Sequence, residues 1–195
     1  RLMSRRGSHG ATLDDVADRL NVSKAALYRY VSNKNELIQA CHEEALAIAE
    51  RSLDRAEALG GPAREKIRAG LRGYLVEMIR ELGVPALILE ENVLQGEAAT
   101  RNYANRDSYE ARLRRLVLEG QRDGSIVGVE PKIAVFMLLG SIHWLAKWYR
   151  PDGAWQPEEV AEAIVELAVR ALDPAPPDTL AAVLNTRAGA VPSVS

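Results

Sequence analysis

Thr12-Leu13-Asp14-Asp15-Val16-Ala17-Asp18-Arg19-Leu20-Asn21-Val22-Ser23-Lys24-Ala25-Ala26-Leu27-Tyr28-Arg29-Tyr30-Val31-Ser32-Asn33-Lys34-Asn35-Glu36-Leu37 has the pattern of two short amphipathic helices joined by a tight turn, with a third helix starting at its end. Thr12 is a helix cap with Asp15 three residues on, a capping-box pattern that also favours the positive helix end. Leu13, Val16, Ala17 and Leu20 recur at helical spacing and form one apolar stripe. Asn21 tolerates the left-handed backbone that ends a helix. Val22 pins the turn inward, and Ser23 caps the second helix, whose inward side is Ala26, Leu27 and Tyr30 or Val31. A turn of about three residues is what a helix-turn-helix requires.

The outward face of the second helix carries Ser23, Lys24, Ala25, Tyr28 and Arg29. A helix that enters the major groove needs cations or hydrogen-bonding side chains, and small residues where its backbone nears the bases. Lys24 and Arg29 suit guanine edges or phosphates. Ala25 and Ala26 permit close approach, and the Tyr28 hydroxyl suits a phosphate. Asn33 caps the next helix with Glu36 three positions on, which puts Lys34 in a first turn where cation and backbone amides can hold a phosphate together. From Arg1 to Lys34 there are seven Lys/Arg against three Asp, a local excess of +4 in a chain whose net charge is −2. That asymmetry marks the polyanion-facing end.

Ala11 to Ala17, Val22 to Val31 and Asn33 to Leu37 resemble the DNA-binding segment of the TetR family of transcriptional regulators. The resemblance implies an all-α protein: an N-terminal helix-turn-helix head, a C-terminal helical ligand-binding and dimerisation domain, and a homodimer on a palindromic operator in double-stranded DNA. It assigns base reading to Lys24, Ala25 and Ala26, phosphate contacts to Tyr28 and Lys34, and a backbone contact to Thr12. The family pattern has a full first helix before the glycine at position 7, where this chain has only Arg1 to Arg6. Either the first helix is unusually short or residues precede Arg1 in the native protein; the second is the expectation, because a head without that helix would expose Val16, Leu20 and Leu27.

Beyond the head, apolar spacing predicts a long connecting helix from Lys34 to about Leu59, broken by Gly60-Gly61-Pro62. Further helices follow over 62–82, 85–94, 98–122, 131–148 and 157–172, with no strand. The expected domains are a head at 1–45, a ligand-binding and dimerisation body at 46–172, and a tail at 173–195. Residues 133–148 are apolar almost all round and 157–172 carry apolar residues on several faces. A small monomer would struggle to cover both helices, so they are expected to pair with a second copy in a four-helix bundle; the alternative is that both are plain core helices of one chain.

A small-molecule effector needs a chamber in that body. Gly70 and Gly73 mark either such space or close helix packing. Tyr74 and Met78 stand on the same apolar helix, and Met78, Ile79, Leu87, Ile88 and Leu94 either line a chamber or form plain core. Trp144-Leu145-Ala146-Lys147-Trp148-Tyr149-Arg150-Pro151-Asp152-Gly153 interleaves aromatic rings with two cations. It resembles a stretch in TetR-like regulators that sense acyl-coenzyme A thioesters. Lys147 and Arg150 suit phosphates and an indole such as Trp148 suits adenine, with Arg101, Tyr103, Arg106 and His143 as further ligand contacts. The competing reading packs Trp148 and Tyr149 into a dimer seam with Lys147 and Arg150 reaching solvent.

Other classes fit poorly. His9, His42 and His143 lack a His or Cys partner at ligand spacing, Cys41 and His42 point about 100° apart on a helix, and no phosphate loop or nucleophile elbow occurs. No enzyme, metal or cofactor is expected. The single Cys41 suits a reducing cytoplasm, and no apolar run spans a membrane. The expected function is a ligand-responsive regulator, a repressor released from its operator by a small hydrophobic or acyl-coenzyme A effector. The alternative is a helical ligand-binding or interaction protein without DNA binding.

Overall fold

The computed structural model describes Ser23, residues 31–81 and residues 96–174. The helices expected at 12–20, 23–31 and 85–94, and the tail from 175 onward, lie outside the described residues. Within them the chain forms five helices and no strand: α1 (Lys34–Ala58), α2 (Ala63–Glu81), α3 (Gly96–Asp123), α4 (Pro131–Trp148) and α5 (Pro157–Arg170).

Local chemistry sets each boundary. The Asn33 side chain accepts the Glu36 amide at 2.9 Å while the Ser32 amide donates to the Glu36 carboxylate at 2.6 Å. This satisfies amides at the start of α1 that have no partner inside the helix. Gly60 and Gly61 take positive φ values of 70° and 85°, a backbone that side-chain-bearing residues resist, and so α1 stops there. The first amide of α2, on Ala63, donates to the Asp123 carboxylate at the far end of α3, 2.9 Å away. Glu130 caps α4 through the Ile133 amide at 2.8 Å. Pro131 and Pro157 open α4 and α5, where the missing N–H costs nothing.

α2 is the hub, packed against α1, α3 and α5, while α3 also meets α1 and α4, and α4 meets α5. Its inward residues Ile67, Leu71, Tyr74, Leu75, Met78 and Ile79 are all buried, as the spacing requires. They join Ile38, Ile48 and Leu53 of α1, Leu113, Leu116 and Val117 of α3, and Leu138, Ile142, Val165 and Val169 of the last two helices in one core. The two glycines of α2 mark close packing. A Cβ on Gly70 would stand 2.9 Å from Leu53 Cδ1, and one on Gly73 would stand 3.4 Å from Ser52. An alanine at 70 would require the Leu53 side chain to shift, whereas one at 73 would make ordinary contact with Ser52, so the close approach of α1 and α2 is felt at Gly70.

A charged layer reinforces the same helices. Arg112 of α3 reaches Glu50, Asp54 (2.6 Å) and Glu57 (3.5 Å) of α1, and Arg115 meets Glu57 at 2.7 Å. Glu77 of α2 accepts from Arg51 at 3.1 Å and Arg55 at 2.5 Å, both on α1. Arg72 and Arg80 of α2 pair with Glu162 and Glu158 of α5. The connecting helix is thus held to the body by core packing within and ion pairs without. The expected division at 45/46 falls inside continuous α1.

Candidate DNA-binding and effector sites

Of the DNA-contact residues expected from sequence, Thr12, Lys24, Ala25, Ala26, Tyr28 and Arg29 lie outside the described residues. Ser23 is exposed, and Lys34 is the first residue of α1. The capped end beneath Lys34 presents the positive end of a 25-residue helix, a local field that favours an anion. This end and the buried body belong to one rigid element. α1 rises about 1.5 Å per residue, and Ile38, Ala45, Ile48, Ala49 and Leu53 along it are all in the core.

The effector candidates fall into two groups. Tyr74 and Met78 stand one turn apart on α2, both buried. Arg106 of α3 is exposed, yet its charge reaches the Tyr74 phenol. Burial pushes the Tyr74 hydroxyl well above its ordinary titration range and Arg106 opposes that rise, so Tyr74 is a hydrogen-bond donor at neutral pH. Arg101 and Tyr103 are exposed on the same stretch of α3. At about 100° per residue they point about 200° apart, and only Arg106 shares the inward face with Tyr109 and Leu113. Arg101 pairs with Glu97 at 3.6 Å.

The second group sits at the end of α4, a helix that packs on α3 and α5. Lys147, Trp148 and Arg150 are exposed, and His143 is half-buried. Tyr149 is buried and its hydroxyl donates to the Trp155 carbonyl at 3.3 Å. The Trp148 and Trp155 rings meet edge-on with centroids 5.8 Å apart, a favoured aromatic geometry. The Gly153 amide donates to the Arg150 carbonyl at 3.0 Å, closing the turn. Trp148, Tyr149 and Gly153 thus build a corner, while the two cations face outward.

Sequence reasoning missed Tyr109. Its ring is 5 % exposed and its hydroxyl is enclosed without a hydrogen-bond partner. Burial pushes its titration far upward, Tyr74 and Glu50 add to the rise, and Arg112 opposes it. The signal was available: Tyr109, Leu113 and Leu116 recur at helical spacing and continue the face of Arg106. Cys41 is half-buried and burial raises its thiol, which makes it a poor nucleophile. Among the described residues no cluster of three His, Cys, Asp or Glu is placed to hold a metal ion, and no helix is long and apolar enough to cross a membrane.

Among the described residues a hub helix, α2, packs against α1, α3 and α5, and the long α1 runs from a capped start into that core, the body of an all-helical protein. Residues 60–172 match the family described as "Tetracyclin repressor-like, C-terminal domain". Residues 1–41 match "Bacterial regulatory proteins, tetR family". The chain belongs to the TetR family of DNA-binding transcriptional regulators and is not an enzyme. It is 28% identical over 170 residues to the nucleoid occlusion factor SlmA of Vibrio atlanticus, covering 83% of this chain and 85% of that one. It also resembles the crystal structure of the TetR family transcriptional regulator PfmR from Thermus thermophilus, at a TM-score of 0.73 and 26% identity over 87% of this chain and 93% of that one. The crystal structure of AibR in complex with isovaleryl coenzyme A and operator DNA aligns at a TM-score of 0.69 and 27% identity, covering 86% and 91%.

Proposed function

We propose that the chain is a repressor that binds a palindromic operator as a homodimer and leaves it when a small hydrophobic or acyl-coenzyme A effector enters the helical body. The observation that carries this reading is the continuity of α1. Lys34 stands at its first turn, and its other end is locked into the core that holds Tyr74 and Met78. A shift of α2 or α3 around a bound effector would move α1, and with it the spacing of two heads. Release then follows from the effector's differential affinity for two states. The AibR complex, with an acyl-coenzyme A and operator DNA in one crystal, supports the effector class. Thr12, Ser23, Lys24, Ala25, Ala26, Tyr28 and Arg29 remain the proposed DNA contacts beside Lys34.

Pairing through α4 and α5 is part of the proposal. Ile133, Met137, Trp144 and Trp148 form one stripe along the outer side of α4, and Ile133 and Trp144 are 65% and 64% exposed. Leu167 of α5 is 70% exposed. Between Lys132 and Lys147 the helix has no charged residue. A contiguous apolar face of this kind marks an interface, and a two-fold mate would bury it while setting half-site spacing.

A gel-shift titration with the DNA flanking the coding region tests the regulator reading. The wild type should bind, and Lys34→Ala should weaken binding to every sequence alike while lessening the salt dependence by about one charge per subunit. Absence of binding by the wild type favours the interaction-protein alternative. Unchanged affinity and salt slope in the variant remove Lys34 from the contact set.

A further inference from the structure

We infer that Arg112 is a positioning residue for DNA binding: it fixes the lean of α1, and so decides how strictly the spacing between two operator half-sites is read. The inference rests on the dimeric operator reading above and deepens it.

Glu50, Asp54 and Glu57 stand at i, i+4 and i+7 on α1, within one face of the helix. The Arg112 guanidinium reaches all three, with Asp54 at 2.6 Å and Glu57 at 3.5 Å. Its forked donors therefore grip about 10 Å of the α1 axis from a single point on α3. Arg115, one turn further along α3, meets Glu57 at 2.7 Å. From α2 the signs are reversed: the Glu77 carboxylate accepts from Arg51 at 3.1 Å and from Arg55 at 2.5 Å. α1 is thus tied sideways from two helices along residues 50–57.

The core contacts of Ile48 and Leu53 are non-directional, whereas a forked, charge-assisted hydrogen bond holds an angle. Among the cations of this layer Arg112 is the best shielded, with a side chain 24% exposed against 47% or more for Arg51, Arg55 and Arg115. Its pairs are therefore the least screened by salt and water.

The place of the grip sets its consequence. From Glu50 back to Lys34, the first residue of α1, the helix axis runs about 24 Å. A tilt of about 5° at the grip displaces that first residue by about 2 Å over such a lever. Summed over two subunits, this approaches the rise of one base pair, about 3.4 Å. A lean left free by a few degrees is enough to admit half-sites one base pair nearer or farther apart.

The test uses the full chain. Wild type first selects its paired half-sites from a pool of random duplex DNA, and the selected site is remade with its spacer shortened or lengthened by one or two base pairs. Gel-shift titration of each duplex gives the ratio of affinities between the best spacing and its neighbours. For wild type, a change of one base pair should weaken binding about tenfold, comparable with one mismatched base pair. Arg112→Ala should reduce that ratio to about threefold or less. Arg112→Lys should fall between the two, because an ammonium lacks the fork. Glu50→Gln combined with Asp54→Asn opens the grip from the α1 side, keeps Arg112 itself, and should flatten the preference as well. Arg72→Ala removes an ion pair between α2 and α5 and should keep the wild-type ratio. A purely structural role lowers the active fraction and scales every spacing alike, so the ratio isolates positioning. A wild-type ratio in both Arg112→Ala and the double variant, or equal flattening by Arg72→Ala, overturns the inference. A wild type that selects no paired half-sites overturns the dimeric operator reading and the inference with it, a result distinct from a paired site whose spacing preference ignores Arg112.

Discussion

The two sides of the helical body use opposite chemistry. On the side where α1 meets α2 and α3, the core is sealed at its rim by Arg112, Arg115, Arg51 and Arg55 against Glu50, Asp54, Glu57 and Glu77. On the outer side of α4, a stripe of Ile133, Met137, Trp144 and Trp148 stands in the open, with Lys132 lying over the Phe136 ring 5.8 Å away at one end. Ion pairs in contact with water stabilise weakly but fix register and lateral position. Exposed indoles and aliphatics do neither until something covers them. The first side is finished within one chain; the second is the face proposed above to pair with a second copy.

The sharpest way to break the contrast is a charge in the middle of the apolar stripe. Trp144→Glu should weaken dimerisation by about 100-fold, as for loss of a central aromatic anchor worth roughly 3 kcal/mol. Sedimentation velocity would show monomers, and operator affinity should fall with it. A variant that stays dimeric would move the interface off α4.

A smaller effect is expected on the ionic side. Arg112 has a side chain 24% exposed and three carboxylate partners, so it lies between a surface pair and a buried one. Arg112→Ala should cost about 2 kcal/mol in urea unfolding, while dimerisation measured at urea concentrations below the unfolding transition should be unchanged. Raised salt should narrow the gap between Arg112→Ala and wild type, since it screens the ion pairs. If the variant dissociates instead, the two sides are not independent.

The smallest effect comes from Glu77. The hydrogen bond from Arg55 holds its carboxyl below the ordinary carboxylate range, with Arg51 adding to it against partial desolvation. A depressed folded-state value contributes stability that is present above the unfolded value and is lost as pH falls through the folded one. The melting-temperature gap between wild type and Glu77→Gln should therefore be widest near neutrality and should close below about pH 4. The stability difference behind that gap should be at most about 1 kcal/mol, because Arg51 and Arg55 stand in solvent. A gap that grows on acidification would place the stabilising role elsewhere.

Much of the body was legible in the chain because helical signals are local. Gly60-Gly61-Pro62 stopped one helix where expected, and Pro131 and Pro157 started two others at the residues foreseen. The inward face of α2 was readable from Ile67 to Ile79 because period alone decides which side is apolar. The role of Gly70 and Gly73 was not readable, since empty space and tight packing both favour glycine. Only the position of Leu53 and Ser52 on a different helix chose packing. Tyr109 was overlooked for a related reason: a tyrosine at core spacing carries no mark of whether its hydroxyl finds a partner.

By themselves, residue order and period determined where the five described helices run, the capped start of α1 and the family resemblance, all set by interactions within a few residues of each other. The tertiary arrangement alone decided which cations clamp α1, which apolar face stays uncovered and which buried hydroxyl is left without a partner. Those depend on contacts between residues such as Glu50 and Arg112, 62 positions apart. No short-range rule can place such a pair until the helices have packed.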